Sequence, residues 1–198
     1  MSAAPAVVAV ALIAAAAALT TAQSFSSTAA IKIPRGQPAV TRGPADAYPS
    51  EIAVSGIARP VASITVTLSN IAHTHPTDLD VLLESPNGRT VVLMSDCGGG
   101  ADVDGLTLTF RDDATLKLPD SVALTAGTFR PTDFGINGDQ LPLPAPQRPF
   151  TGSTLSALAA DPVNGVWRLW VADDSDGDGG SIGGWSISFA GARAGGQP

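Results

Sequence analysis

The sequence predicts an all-β protein, an antiparallel β-sandwich of jelly-roll type with about eight strands. Apolar residues recur at every second position in several short stretches, which is typical of strands with one buried face. The 21 glycines and 16 prolines of the 198-residue chain fall largely between these stretches. Beyond the N-terminal segment, no stretch has a sustained helical periodicity. Short strands divided by turn residues indicate a sandwich, and a jelly roll avoids long exposed edges.

Eight segments carry the strand signal. The clearest are 64–68 and 106–110, in which every second residue is apolar and the residues between are threonines. The predicted strands are 31–33, 51–54, 64–68, 78–83, 90–94, 106–110, 166–171 and 185–189. Pro86, Asn87 and Gly88 combine a fixed φ with residues that tolerate positive φ, so they predict a tight hairpin turn between the fourth and fifth strands.

The chain divides into four segments. Residues 1–22 resemble a secretory signal peptide, because a short apolar run precedes small residues. No Lys or Arg precedes the run, and a retained N-terminal anchor helix is the alternative. Residues 23–50 are predicted to form an N-terminal connector with the first strand, and 51–191 the main part of the sandwich. The folded domain as a whole is expected to begin near residue 25, and 192–198 to form a flexible tail. The segments predict a secreted protein, extracellular or periplasmic, without membrane contact after signal cleavage.

Composition excludes several partner classes. A net charge of −7 argues against nucleic acid or an anionic membrane surface as the partner. Of the 18 acidic residues only Glu51 and Glu84 are glutamates, which points to carboxylates in loops rather than on helix faces. Cys97 is the only cysteine, so an internal disulfide is excluded, as is ordinary for a bacterial exported domain.

Two Asp-rich segments, one at 96–113 and one at 173–178, are candidate calcium sites. Alternate aspartates precede Gly179 as in the first half of an EF-hand loop, although Trp185 stands where that loop has its glutamate. Crowded carboxylates repel one another, so they either extend into water as an acidic turn or share Ca²⁺. The candidate metal ligands are Asp96, Asp102, Asp104, Asp112, Asp113, Asp173, Asp174, Asp176 and Asp178, with Asp78 as a further candidate.

No catalytic residue is assigned. His73 and His75 are the only histidines, and no serine stands in the glycine-flanked context of a nucleophile, so a serine-protease triad is excluded. No third His or Cys lies at zinc-ligand spacing from the pair. We therefore interpret both histidines as residues that brace the turn after Pro76.

A long segment, 114–162, carries few strand signals and contains the Pro-rich stretch 141–149. A loop of this length inside a compact domain is functional or disordered. The stretch is interpreted either as a stiff docking segment or as a loop that packs over one edge of the sandwich.

Three motifs resemble one known family. The first is Thr77-Asp78-Leu79-Asp80-Val81 with the following Ser-Pro-Asn-Gly turn, the second is the Trp-containing segment 164–174, and the third is the closing strand 180–189. Together they resemble the P domain (P/Homo B domain) of proprotein convertases and bacterial secreted subtilisin-like proteases. The resemblance covers about 25–191 and implies a jelly roll that packs on a catalytic domain and influences its calcium dependence.

The resemblance implies a secreted, non-catalytic binding or stabilising module, braced by calcium. Because no catalytic domain precedes the motifs in this sequence, we expect a stand-alone exported module whose partner is a protein or a surface glycan. One alternative is an accessory domain of a serine protease, acting with a catalytic domain supplied in trans. A second alternative is a structural component of the envelope or matrix.

Overall fold

The computed structural model describes residues 22–58, 60–135, 140–159 and 162–191. These residues form two β-sheets with little helix. The strands are β1 (Gln23–Ser27), β2 (Ile31–Ile33), β3 (Gly43–Pro44), β4 (Ser50–Val54), β5 (Val61–His73), β6 (Leu79–Glu84), β7 (Thr90–Ser95), β8 (Val103–Phe110), β9 (Leu116–Lys117), β10 (Gly127–Arg130), β11 (Thr132–Asp133), β12 (Gly165–Asp173) and β13 (Gly180–Gly191). A 3-10 helix spans Pro76–Asp78, and the helix α1 spans Ser156–Ala159. Residues 1–21 of the predicted signal peptide and the predicted tail lie outside the described residues.

The eight predicted strands correspond to the eight principal strands. One sheet has the order β2-β13-β5-β8 and the other has the order β4-β12-β6-β7, with antiparallel pairing throughout. The chain passes from one sheet to the other after every principal strand except β6, which continues into β7 as a hairpin. This order is that of a jelly roll, so the predicted fold class is confirmed.

Short edge strands add parallel pairing that the prediction did not include. β10 runs parallel to β8 and to β9, and β11 runs parallel to β7. β1 extends the first sheet along β13, and β3 extends the second along β12. These strands have two to five residues each, so both sheets are mixed at their edges although their centres are antiparallel.

The main core lies between the two sheets. Its largest fully buried side chains include Trp167 and Phe110, and Trp185 is 2% exposed. The indole of Trp185 donates a hydrogen bond to Ser50 Oγ at 3.0 Å, which links β13 to β4 across the sandwich. The alternation predicted for β12 holds, because Trp167 and its alternate neighbours enter this core.

A second apolar cluster covers the outer face of the β4-β12-β6-β7 sheet. Trp170 on β12 and Val92 on β7 contact the Pro-rich stretch through Leu141 and Ala145. Trp170 also meets the ring of Tyr48 edge to face, with 4.9 Å between centroids. The Pro-rich stretch therefore packs against the sandwich, as one of the two interpretations expected, but it covers the outer face of a sheet rather than an edge.

The predicted hairpin turn is present between β6 and β7. Gly88 has φ +76°, and the backbone N–H of Gly88 donates to the carbonyl of Ser85 at 2.9 Å. The positive φ explains the glycine at this position. Neither helix in the described part of the chain has the length and apolarity needed to cross a membrane.

Candidate metal centre

Two connectors lie side by side at one end of the sandwich. The 74–78 connector leads from β5 to β6, and the 174–179 connector leads from β12 to β13. The end of β5, at His73, pairs with the start of β13, and the end of β12, at Asp173, pairs with the start of β6. The jelly-roll order thus brings together two segments that are about a hundred residues apart in the sequence.

Hydrogen bonds join the two connectors. The backbone N–H of Thr74 donates to the carbonyl of Gly179 at 3.2 Å, and the N–H of Asp174 donates to the carbonyl of Asp78 at 3.0 Å. The hydroxyl of Thr74 donates to Asp178 Oδ1 at 3.2 Å and accepts from the N–H of Gly179. These bonds hold the side chains of both connectors in a common frame.

His73 and Asp173 form a buried pair beneath the connectors. His73 Nε2 lies 3.3 Å from Asp173 Oδ2, and both side chains are fully buried. His73 Nδ1 accepts a hydrogen bond from the backbone N–H of His75 at 3.2 Å. Neither His73 Nε2 nor Asp173 Oδ2 has a hydrogen bond of acceptable geometry among the described residues, so the two groups meet as a close polar pair. The other oxygen of Asp173 accepts from the N–H of Ser175 at 3.1 Å, which orders the start of the loop.

His75, Asp78 and Asp178 form a possible metal-binding group above this pair. Each offers one ligand atom, and the three atoms lie within 4.8 Å of one another. His75 Nδ1 and Asp78 Oδ1 are 2.9 Å apart and share a hydrogen bond. Asp78 is buried, with Oδ2 lacking a hydrogen-bond partner, whereas His75 and Asp178 are half-buried. Among the described residues, no second group of three such side chains meets this distance.

The electrostatics of the group favour an added positive charge. Burial raises the pKa of the Asp78 carboxyl, the hydrogen bond from His75 opposes that rise, and the negative charges of Asp173 and Asp178 add to it. The hydrogen bond with Asp78 raises the pKa of His75, and the neighbouring carboxylates act in the same direction. Three carboxylates thus surround one imidazole.

The ring of His75 rests on a glycine. A Cβ added to Gly100 would lie 2.5 Å from His75 Nε2, closer than atoms can approach. Gly98 and Gly99 of the same turn donate their N–H groups to the carbonyls of Pro119 and Asp120 at 2.8–2.9 Å, which fixes the turn. The Gly98–Gly100 turn therefore serves as a platform for the imidazole, a role the sequence did not suggest.

Only two of the ten predicted ligands, Asp78 and Asp178, belong to the metal-binding group. Asp112 accepts the backbone N–H groups of Leu155 and Ser156 at 2.7 Å each, which ties the loop after β8 to the start of α1. Asp113 forms an exposed ion pair with Arg111 at 2.7 Å. Both carboxylates thus have contacts with the protein itself.

Asp173 lies in the buried pair with His73, and the other five predicted ligands are at least partly exposed. Asp102, Asp104 and Asp176 are exposed, and Asp96 and Asp174 are half-buried. Asp96 has the left-handed backbone conformation, with φ +54°. Calcium coordination by these residues stays a prediction.

His75 is the member of the possible metal-binding group that the sequence interpretation did not assign as a ligand. Its predicted bracing role is confirmed by the hydrogen bond to Asp78, and the structure adds proximity to Asp178. The available signal was the His75-x-x-Asp78 spacing around Pro76, which places both side chains on one turn, combined with the strand order of a jelly roll.

Comparison with known proteins gives partial matches. The chain is 28% identical over 167 residues to leupeptin-inactivating enzyme 1 of Streptomyces exfoliatus, a match that covers 84% of the chain and 26% of that enzyme. It is 31% identical over 86 residues to the DNA mismatch repair protein MutL of Beijerinckia indica subsp. indica, covering 43% of the chain and 13% of MutL. No protein-family model matches. The chain thus spans about a quarter of the first relative, and the shorter match to the second supports no functional assignment.

Proposed function

We propose that this chain is a secreted, non-catalytic module of the P-domain type that stabilises an enzyme with which it associates. The observation that carries the proposal is the extent of the match to leupeptin-inactivating enzyme 1. The match takes in 84% of this chain but 26% of the enzyme, as expected for one module of a larger protein. The three P-domain motifs lie on β6, β12 and β13, which are central strands of the jelly roll.

The state of the two histidines supports a non-catalytic role. His73 is fully buried against Asp173, and His75 shares a hydrogen bond with Asp78. A general base for a serine nucleophile needs an exposed imidazole within hydrogen-bonding reach of the hydroxyl. Of the two, only His75 is partly exposed, and it is surrounded by carboxylates.

A bound cation braces the module in this proposal. The metal-binding group lies where both sheet-crossing connectors meet, so an ion there ties β5, β6, β12 and β13 together. Calcium is the ion that the family resemblance implies, and it takes six to eight oxygen ligands. Asp78, Asp178 and the hydroxyl of Thr74 supply oxygens at this end, and Asp174 and Asp176 lie in the same connector.

Deletion and rescue of the relative test the proposal. Leupeptin-inactivating enzyme 1 is expressed without the segment that matches this chain, alone or together with the chain. We expect the deletion to lower the yield of secreted active enzyme and co-expression to restore a measurable part of it. A Trp185→Ala variant serves as the matched control, because loss of this core side chain destabilises the sandwich.

Two results would contradict the proposal. One is that the wild-type chain leaves the yield unchanged and also binds neither the truncated nor the complete enzyme. The other is inactivation of leupeptin by the purified chain alone, because that activity would make the chain an enzyme.

A further inference from the structure

We propose that His75, Asp78 and Asp178 form a site for Zn²⁺, or for a similar divalent transition-metal ion, and not for calcium. The inference rests on the proposed function in one respect, since it names the ion that braces the module. The donor set, a buried oxygen without a partner and the rigidity of the surroundings all favour such an ion.

The donor set combines one imidazole with two carboxylates. Calcium is bound by oxygen ligands alone and needs six to eight of them, so the imidazole of His75 takes a ligand position that calcium cannot use. Zinc accepts histidine nitrogen and carboxylate oxygen together and is satisfied by four ligands. Three protein ligands and one water would complete its shell.

A buried oxygen without a partner provides the second, independent observation. Asp78 exposes 7% of its surface, and Asp78 Oδ2 has no hydrogen-bond partner among the described residues. A buried carboxylate oxygen that lacks a partner costs free energy unless a cation or a donor satisfies it.

The surroundings hold the ligands in place before an ion binds. Asp78 closes the 3-10 turn, because its N–H donates to the carbonyl of His75 at 3.0 Å. Asp178 is held by the hydroxyl of Thr74, and Gly100 supports the imidazole ring. Ligands fixed in this way lose little conformational freedom on binding, and metal affinity rises accordingly.

Spectroscopic metal titration of the full chain tests the inference. The chain is stripped with EDTA and titrated with Co²⁺, whose visible absorption distinguishes four-coordinate from six-coordinate sites, and then with Zn²⁺ in competition. We expect one equivalent of Co²⁺ to give the intense absorption of a four-coordinate site and Zn²⁺ to abolish it. Millimolar Ca²⁺ should leave the Zn²⁺ affinity within about twofold of its starting value.

Variants assign the ligands. His75→Ala and Asp178→Asn should each weaken Zn²⁺ binding by more than about tenfold, since even indirect partners of a metal contribute that much. Asp176→Asn is the matched control in the same connector, because Asp176 is exposed and outside the group, and its Zn²⁺ affinity should equal that of the wild type. Circular dichroism of each variant verifies that the sandwich remains folded.

Either of two results would overturn the inference. One is Zn²⁺ affinity that His75→Ala does not change. The other is Ca²⁺ that displaces Co²⁺ at equal concentration. Both outcomes concern the isolated chain, so they are separable from the enzyme-rescue experiment, which can succeed or fail with either ion.

Discussion

Replacing Trp170 by alanine should destabilise the sandwich by about 3–5 kcal/mol. Trp170 is 6% exposed on the outer face of its sheet, where the Pro-rich stretch covers it. A buried tryptophan removes about 150–250 Å² from water, worth about 4–6 kcal/mol at 25 cal/mol per Å², and mutational series give about 3–5 kcal/mol. The variant also loses the hydrogen bond that the indole donates to Glu84 Oε2 at 2.8 Å, and the range of 3–5 kcal/mol includes the cost of that loss.

Urea denaturation of wild type and variant, followed by tryptophan fluorescence and circular dichroism, measures this loss. Leu143→Ala is the matched control, because Leu143 lies in the same stretch but is 78% exposed, and its cost should stay within about 0.5 kcal/mol. If Trp170→Ala costs less than about 1 kcal/mol, the Pro-rich stretch does not cover the sheet in solution. The docking interpretation of that stretch would then regain support.

Three further outcomes are expected. Because the hydrogen bond with Asp78 raises the pKa of His75 and makes its protonated form stabilising, the metal-free chain should lose stability in thermal melts as the pH rises through that raised pKa, and bound metal should reverse the trend. Gly100→Ala should displace the His75 ring and weaken Zn²⁺ binding in the Co²⁺ competition by about tenfold or more, with little change in urea stability. Asp112→Ala should cost about 1–3 kcal/mol in urea, because it removes two hydrogen bonds at the start of α1, whereas exposed Asp102→Ala should be neutral.

The principal strands could be predicted because one face of each is buried. In β5, for example, Ile64 and Leu68 enter the core while Thr65 and Thr67 point away from it, and this contrast is readable as period two. β3, β9 and β11 have two residues each, too few to show any period. The pairing of β9 and β11 is determined by where the long segment after β8 returns to the sheets, and that of β3 by where the connector between β2 and β4 meets β12, which a local pattern does not encode.

The candidate site was predicted only in part, for a related reason. Asp78 and Asp178 were recognised by residue type, but local spacing could not join them, since they belong to different connectors. His75 was set aside because no third His or Cys lies near it in the sequence. Its more distant carboxylate neighbour, Asp178, becomes visible only when the order of β5, β6, β12 and β13 is known.

The melting temperature of the full chain in EDTA, in Ca²⁺ and in Zn²⁺ tests most directly whether a cation braces this end of the sandwich. An ion at a hundred times its Kd adds about 2.7 kcal/mol, which raises the midpoint of a domain of this size by about 5–10 °C. We expect Zn²⁺ to produce this rise in the wild type, Ca²⁺ to leave the midpoint unchanged, and His75→Ala to lose the rise in Zn²⁺. An unchanged midpoint in both ions would contradict the account, and the connectors would then be held by their own hydrogen bonds alone.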